Sequence, residues 1–198
     1  KVCEAGRAPK QITHSEYEGA LGYAYHLNAA KFAKLLAENA IHRFNVEHIM
    51  ANVLDVSLTD SGDIGSLETD SCGSISADLY IDCSGFQSLL IDKTLKVPFV
   101  DKSHQLFADK AIAVQVPIAA DASIPPYTLA TAHQAGWIWD IALTNRRGVG
   151  FVYSSKYMDD DEALNKLSRY LGQDLSQYKY RVLPLKLGYR KEFLHKNC

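Results

Sequence analysis

The spacing of hydrophobic positions changes several times along the chain. From Asn28, which reads as a helix N-cap, Phe32, Leu35, Leu36 and Ala40 recur at helical spacing, while Lys31, Lys34 and Glu38 fall off that stripe. The pattern predicts an amphipathic helix of about four turns. From Ile49 the period becomes two. Leu54, Val56 and Leu58 share a face, Ser61-Gly62-Asp63 turns the chain, and a second strand follows near Leu67. Ser71-Cys72-Gly73-Ser74 then leads into a third strand over Ala77–Cys83, completing a small antiparallel meander.

The second half predicts a larger sheet. Ile112, Val114, Val116 and Ile118 alternate without a break, and Tyr127–Ala132 and Gly136–Thr144 read as the next strands. Asn145-Arg146-Arg147-Gly148 reads as a solvated turn, after which Val149, Phe151 and Tyr153 line one face of the returning strand. Asp159, Asp160 and Asp161 crowd a helix start, where carboxylates suit the dipole. Leu164, Leu167 and Leu171 form that helix's apolar stripe, and Gly172 ends it. A last strand runs near Leu183, Leu185 and Leu187, and Pro184 makes it an edge or irregular strand. The fold class is therefore α+β: mainly antiparallel sheet, with a small β-meander and two or more helices.

Composition narrows the function classes without choosing one. The 198 residues are 47% hydrophobic and 22% charged, an ordinary globular balance, and the net charge of −2 offers no basic field for nucleic acid. No apolar run reaches the length of a membrane span. Cys3, Cys72, Cys83 and Cys198 include no CxxC pair, and the seven histidines show no ligand spacing. The reading is reduced thiols, a cytoplasmic protein and no metal. The chain opens without an initiator Met and stops directly after a hydrophobic-basic segment, as an excised piece of a larger protein would.

Three segments carry candidate chemistry. Around Asp82-Cys83-Ser84-Gly85 a strand delivers a carboxylate and a glycine into a tight turn. Such a turn brings backbone N–H groups close to a ligand, though it also serves as a plain strand-to-helix joint. In Gly136-Trp137-Ile138-Trp139-Asp140-Ile141-Ala142, strand geometry puts Trp137 and Trp139 on one face with Ile141 and Leu143. Two adjacent indoles make a wall for an aromatic substrate or a shield for a cofactor, or pack a core. Gly188-Tyr189-Arg190, ahead of Asn197-Cys198, reads as a basic loop.

Taken in order, these segments resemble the flavin-dependent tryptophan halogenases. Ala77–Ile91 is similar to that family's DLFIDCSGFRGLLI segment, and Gly136–Leu143 to its W-x-W-x-I-P signature. Phe151–Ser155 with Asp161–Ala163 resembles its YVYSS…DEA segment, Tyr25–Ala29 its YHFDA, and Gly188–Cys198 its GRRxxxWxxNC. The likeness runs from about Tyr23 to Cys198, with Ala142 in place of the signature Pro, Asp140 where basic or polar residues are usual, Tyr189 for an Arg and Leu194 for a Trp. These departures mark a divergent member.

The resemblance implies the middle part of an FAD/NAD(P)-binding-type, aromatic-hydroxylase-like flavoprotein. Residues 1–92 would belong to the FAD-binding domain and 93–198 to a substrate-side sheet domain. FAD, reduced by a separate flavin reductase that docks transiently, would use oxygen to oxidise chloride or bromide for transfer to an indole or other small electron-rich aromatic. The strand around Val53 and the turn holding Asp82 and Gly85 would contact FAD, and Trp137 and Trp139 would line the passage to substrate. The family's catalytic Lys and Glu, and its GxGxxG motif, match no position here and would lie outside the chain, leaving this piece inactive alone. The likeness leaves room for a homodimer. A related flavin-dependent aromatic monooxygenase and a non-catalytic β-rich ligand-binding module are the other readings.

Overall fold

The computed structural model describes residues 2–198. The chain forms two compact units, neither of them continuous in sequence. One combines Lys1–Lys34 with Ser103–Leu187, and the other combines Leu35–Lys102 with Gly188–Cys198.

The first unit is built on a five-stranded antiparallel sheet. Its strands are β5 (Lys110–Pro117), β6 (Leu129–His133), β7 (Gly136–Ala142), β8 (Arg146–Tyr153) and β9 (Tyr180–Pro184), in the spatial order β6-β7-β8-β5-β9. Pro184 thus sits on an edge strand, where a missing N–H breaks no ladder. Helix α2 (Asp160–Leu171) packs on one face of the sheet. Ile112, Val114, Ile138, Val149, Phe151 and Tyr153 from the strands meet Ala163 and Leu167 from the helix in a closed core. Asp159 caps α2 by accepting from the Glu162 N–H at 2.8 Å, and Gly172 ends it at φ 68.

The predicted turn over 145–148 is shorter than its polar residues suggest. Leu143 N–H donates to Arg146 O at 2.8 Å, and β8 already starts at Arg146. Arg147 is therefore a strand residue, not part of a solvated turn. It is held there by an ion pair with Asp140 across the β7–β8 ladder.

The second unit carries the meander: β1 (Val53–Leu58), β2 (Ile64–Thr69) and the two-residue β3 (Ser74–Ile75), in that order. The third strand expected over 77–83 does not form. That segment is irregular, with a bend at Asp78, and Tyr80 N–H pairs with Asn197 O at 2.8 Å, not with the sheet. Alternating polarity predicts an extended chain and says nothing of whether a partner strand is present. A 3₁₀ turn at Gly85–Gln87 and a π-helical segment at Leu89–Thr94 follow.

Strand β4 (Phe99–Asp101) pairs antiparallel with β10 (Gly188–Arg190), so the expected basic loop is a strand. Its Arg190 forms an ion pair with Asp92 and donates to Val97 O at 3.1 Å. The core of this unit is Ile64, Tyr80, Leu90 and Cys198. Asn197 closes it, accepting from Ile64 N–H at 2.8 Å and donating to Ile64 O at 2.9 Å. Helix α1 (Ala29–Phe44), grouped with the first unit up to Lys34 and with the second from Leu35, starts at Asn28, whose Oδ1 accepts from Lys31 N–H at 3.3 Å, and it buries none of its residues.

Candidate functional site

In the second unit, Asp82 organises the segment that follows it. One carboxylate oxygen accepts from the Ser84 N–H at 3.0 Å and the Ser84 hydroxyl. The other accepts from the N–H groups of Leu90 at 2.8 Å and Ile91 at 3.0 Å. The carboxylate thus caps the π-helical segment, satisfying donors that a helix start leaves orphaned. Burial pushes the Asp82 pKa up, but these hydrogen bonds outweigh it and hold it below the usual aspartate range. Gly85 adopts φ 65, and a Cβ there would meet no atom within 4 Å. The glycine is required by its backbone angle, and its main chain is open to approach. Val53 begins β1, an edge strand of the meander, so one side of its backbone is open too. Leu79, Ile81 and Phe86 are exposed around the Asp82 turn.

The sign of the Asp82 effect gives an expected result. A depressed folded-state pKa stabilises above the unfolded value, about 4 for aspartate, and that stability drains as pH falls toward the folded pKa. Asp82→Asn should therefore melt below wild type at pH 7, and the gap should narrow steadily below about pH 4. Melting curves across that range test it; a gap that does not change with pH would show that the carboxylate's charge is not what holds the segment.

In the first unit, β7 splits its residues between two environments. Ile138, Asp140 and Ala142 face the core under α2 and are buried. Trp137, Trp139 and Ile141 lie on the opposite face, with Trp137 44% exposed. Leu143 falls past the strand end, in the turn to β8. The two indoles lie 6.2 Å apart between ring centroids at 58°. The cross-strand neighbours of Trp139 and Ile141 are small: Ala130 and Gly150 flank Trp139, and Gly148 pairs with Ile141. A Cβ at Gly150 would overlap Cη2 and Cζ2 of Trp139 and come within 2.6 Å of Ile112 O. The Trp139 ring therefore lies down over the Gly150 main chain. A shallow cavity of about 600 Å³ continues from Trp139 past Ala113 to Lys179 and Arg181. The Trp pair is a ledge on an open sheet face and not core packing. Gly150 was missed in sequence; the trace was its cross-strand register with Trp139, which cannot be known before the pairing is.

Asp140 is 3% exposed, accepts from Arg147 Nε at 3.1 Å and from the Tyr170 hydroxyl at 3.2 Å, and forms an ion pair with Arg147. The guanidinium's hydrogen bonds to Asp140 raise the Arg147 pKa above its ordinary value. Among the described residues, no group of three His, Cys, Asp or Glu is placed to hold a metal ion, and all four cysteines are free. No described helix is long and apolar enough to cross a membrane.

The tryptophan halogenase family model matches residues 2–198. The chain is 37% identical over 219 residues to the 7-chloro-L-tryptophan 6-halogenase KtzR of Kutzneria sp. (strain 744), covering 100% of this chain and 42% of that protein. The crystal structure of a tryptophan halogenase from Shewanella frigidimarina NCIMB 400 superposes with a TM-score of 0.93 at 42% identity, over 100% of this chain and 38% of that one. MibH, a lathipeptide tryptophan 5-halogenase, aligns with a TM-score of 0.85 at 30% identity, over 99% of this chain and 37% of that one. The chain spans about two fifths of the length of these relatives. Matched by the family model through all but its first residue, and sharing a fold with its solved members from end to end, the chain belongs to the tryptophan halogenase family.

Proposed function

We propose that the full-length polypeptide containing this chain is an FAD-dependent halogenase acting on an indole or another electron-rich aromatic. The observation that carries the reading is the match to the tryptophan halogenase family over residues 2–198. Reduced FAD, when bound, supplies with oxygen the oxidation of halide that the chemistry needs. Residues 1–92 serve the flavin side and residues 93–198 the substrate side. A separate flavin reductase as transient partner, assembly as a homodimer and a cytoplasmic location belong to the same proposal.

The residues of the second unit fit a flavin. The open edge of β1 at Val53 offers main-chain groups to an adenine ring, and the positive φ of Gly85 leaves its backbone unobstructed. Asp82, with its carboxylate engaged by the chain, acts as a positioning residue that fixes this turn. Trp137 and Trp139 wall off substrate, so that an oxidised halogen travels without meeting water or the wrong acceptor. A wall of this kind needs rigid apolar surface on an open face, which the ledge provides.

The test is mass spectrometry of products from the full-length polypeptide with FAD, a reductase, bromide and a panel of indoles. A brominated indole is expected. A hydroxylated product would replace the reading with a monooxygenase, and binding without turnover would replace it with a ligand-binding module. Trp137→Phe and Trp139→Phe should each lower product yield or release more peroxide, with little change in melting temperature. Unchanged yield and peroxide with a clear drop in melting temperature would return both residues to a packing role.

A further inference from the structure

A second cavity in the sheet unit, of about 720 Å³, lies between the irregular N-terminal segment, the 124–127 loop and the β7–β8 turn. That volume is within the usual range for small-molecule sites, roughly 300–1,000 Å³. We propose that it is a binding site for a small aromatic carboxylate.

Three observations converge on an anion. Arg7, Lys10 and Lys31 line the cavity, and among the described residues no Asp or Glu does, although the chain as a whole is net acidic. The N-terminus of α1 opens on it through Asn28 and Lys31, and the first turn of that helix holds no acidic residue. The dipole of a 16-residue helix and the lysine therefore favour the same sign of charge. The Tyr23 hydroxyl is buried in the wall and interacts with the Tyr25 hydroxyl, which lines the same cavity, so the pair can present one O–H to a ligand.

The rest of the lining selects a planar ring. Tyr23 and Tyr25 stand edge to face at 5.7 Å, and Ile124 and Pro125 close the apolar side. The Lys10 ammonium is fixed by the Ser15 carbonyl at 2.8 Å and sits 5.5 Å from the Tyr23 ring centroid. His26 Nε2 and Thr128 Oγ1, 3.1 Å apart, latch the N-terminal segment to the far wall. An amine-bearing ligand would meet three cations in the wall and no lining carboxylate, Glu16 reaching the site only through its field at Tyr25. The site thus discriminates an aromatic acid from the corresponding amine. This inference does not depend on the halogenase reading.

The experiment is titration calorimetry on the full-length polypeptide with FAD, using indole-3-acetate and, as its cationic counterpart, tryptamine. Indole-3-acetate should bind and tryptamine should bind at least tenfold more weakly. Arg7→Gln with Lys31→Gln should weaken indole-3-acetate at least tenfold, and Arg7→Lys with Lys31→Arg should restore most of it. Equal binding of the two ligands, or a double Gln variant within twofold of wild type, overturns the proposal. Photolabelling with 4-benzoylbenzoate gives an independent reading that needs no variant. Label should map to residues 7–31 or 124–145, and label confined elsewhere overturns the proposal. Failure of halogenation with intact anion binding would sink only the enzymatic reading.

Discussion

Arg147→Ala should destabilise the folded protein by about 3 kcal/mol, the low end of what breaking a buried ion pair costs. The substitution leaves the Asp140 carboxylate, 3% exposed and facing the core, with only the Tyr170 hydroxyl as donor. The low end is appropriate because the Arg147 side chain is itself 31% exposed, so water reaches the site. The charge left behind, not the lost attraction, is what destabilises. Removing the whole cluster should therefore be milder: Asp140→Leu with Arg147→Met and Tyr170→Phe should recover most of the loss. Denaturant unfolding of the full-length polypeptide, followed by tryptophan fluorescence, measures both. A single variant within about 1 kcal/mol of wild type would mean that water solvates Asp140 and that the pair is ornamental.

Under the proposed function, Gly150→Ala in the full-length polypeptide should reduce halogenation on the order of tenfold or more, because small displacements of a group that shapes a reaction path are costly. The new methyl would occupy the space of the Trp139 ring edge and press on Ile112 O, so the indole must lift off the sheet. Overpacking of this kind also costs stability, about 1–3 kcal/mol. A control lies two residues away on the same strand. A Cβ at Gly148 would approach nothing closer than Ile141 O, at 4.0 Å. Gly148→Ala should accordingly leave yield and near-UV circular dichroism close to wild type. If the two alanine variants behave alike, the Trp139 ring does not depend on the glycine beneath it.

The elements that local pattern controls were legible in the sequence. The helix from Asn28, the capped α2 and the alternation on β5 and β8 follow from periodicity and capping chemistry, which need only neighbours along the chain. What escaped depends on partners distant in sequence. Residues 77–83 have a strand's composition but no strand to pair with. Arg147 looks solvated beside Asn145 and Gly148 until β7 brings Asp140 diagonally across from it. In the candidate site, the shared face of the two tryptophans could be counted from their spacing. Whether that face was buried could not, since α2 covers the other side only after folding. The cationic cavity left no motif, because its walls come from three separate stretches of chain.

The clasp that Asn197 makes on Ile64 spans 133 positions. A chain emerging from the ribosome presents the meander long before it presents its fastener. During that interval the backbone of Ile64 and the amide of Tyr80 lack their native partners. The ordering entropy of so long a loop must be met before the contact rewards it. Nascent chains that stall or are cut after β9 should carry a meander without its closing contacts, with Ile64 and Tyr80 open to chaperones and proteases. The residues from Gly188 to Cys198 thus act as a timer on synthesis: until they arrive, the unit built on Leu35–Lys102 lacks its closing segment and cannot be hurried.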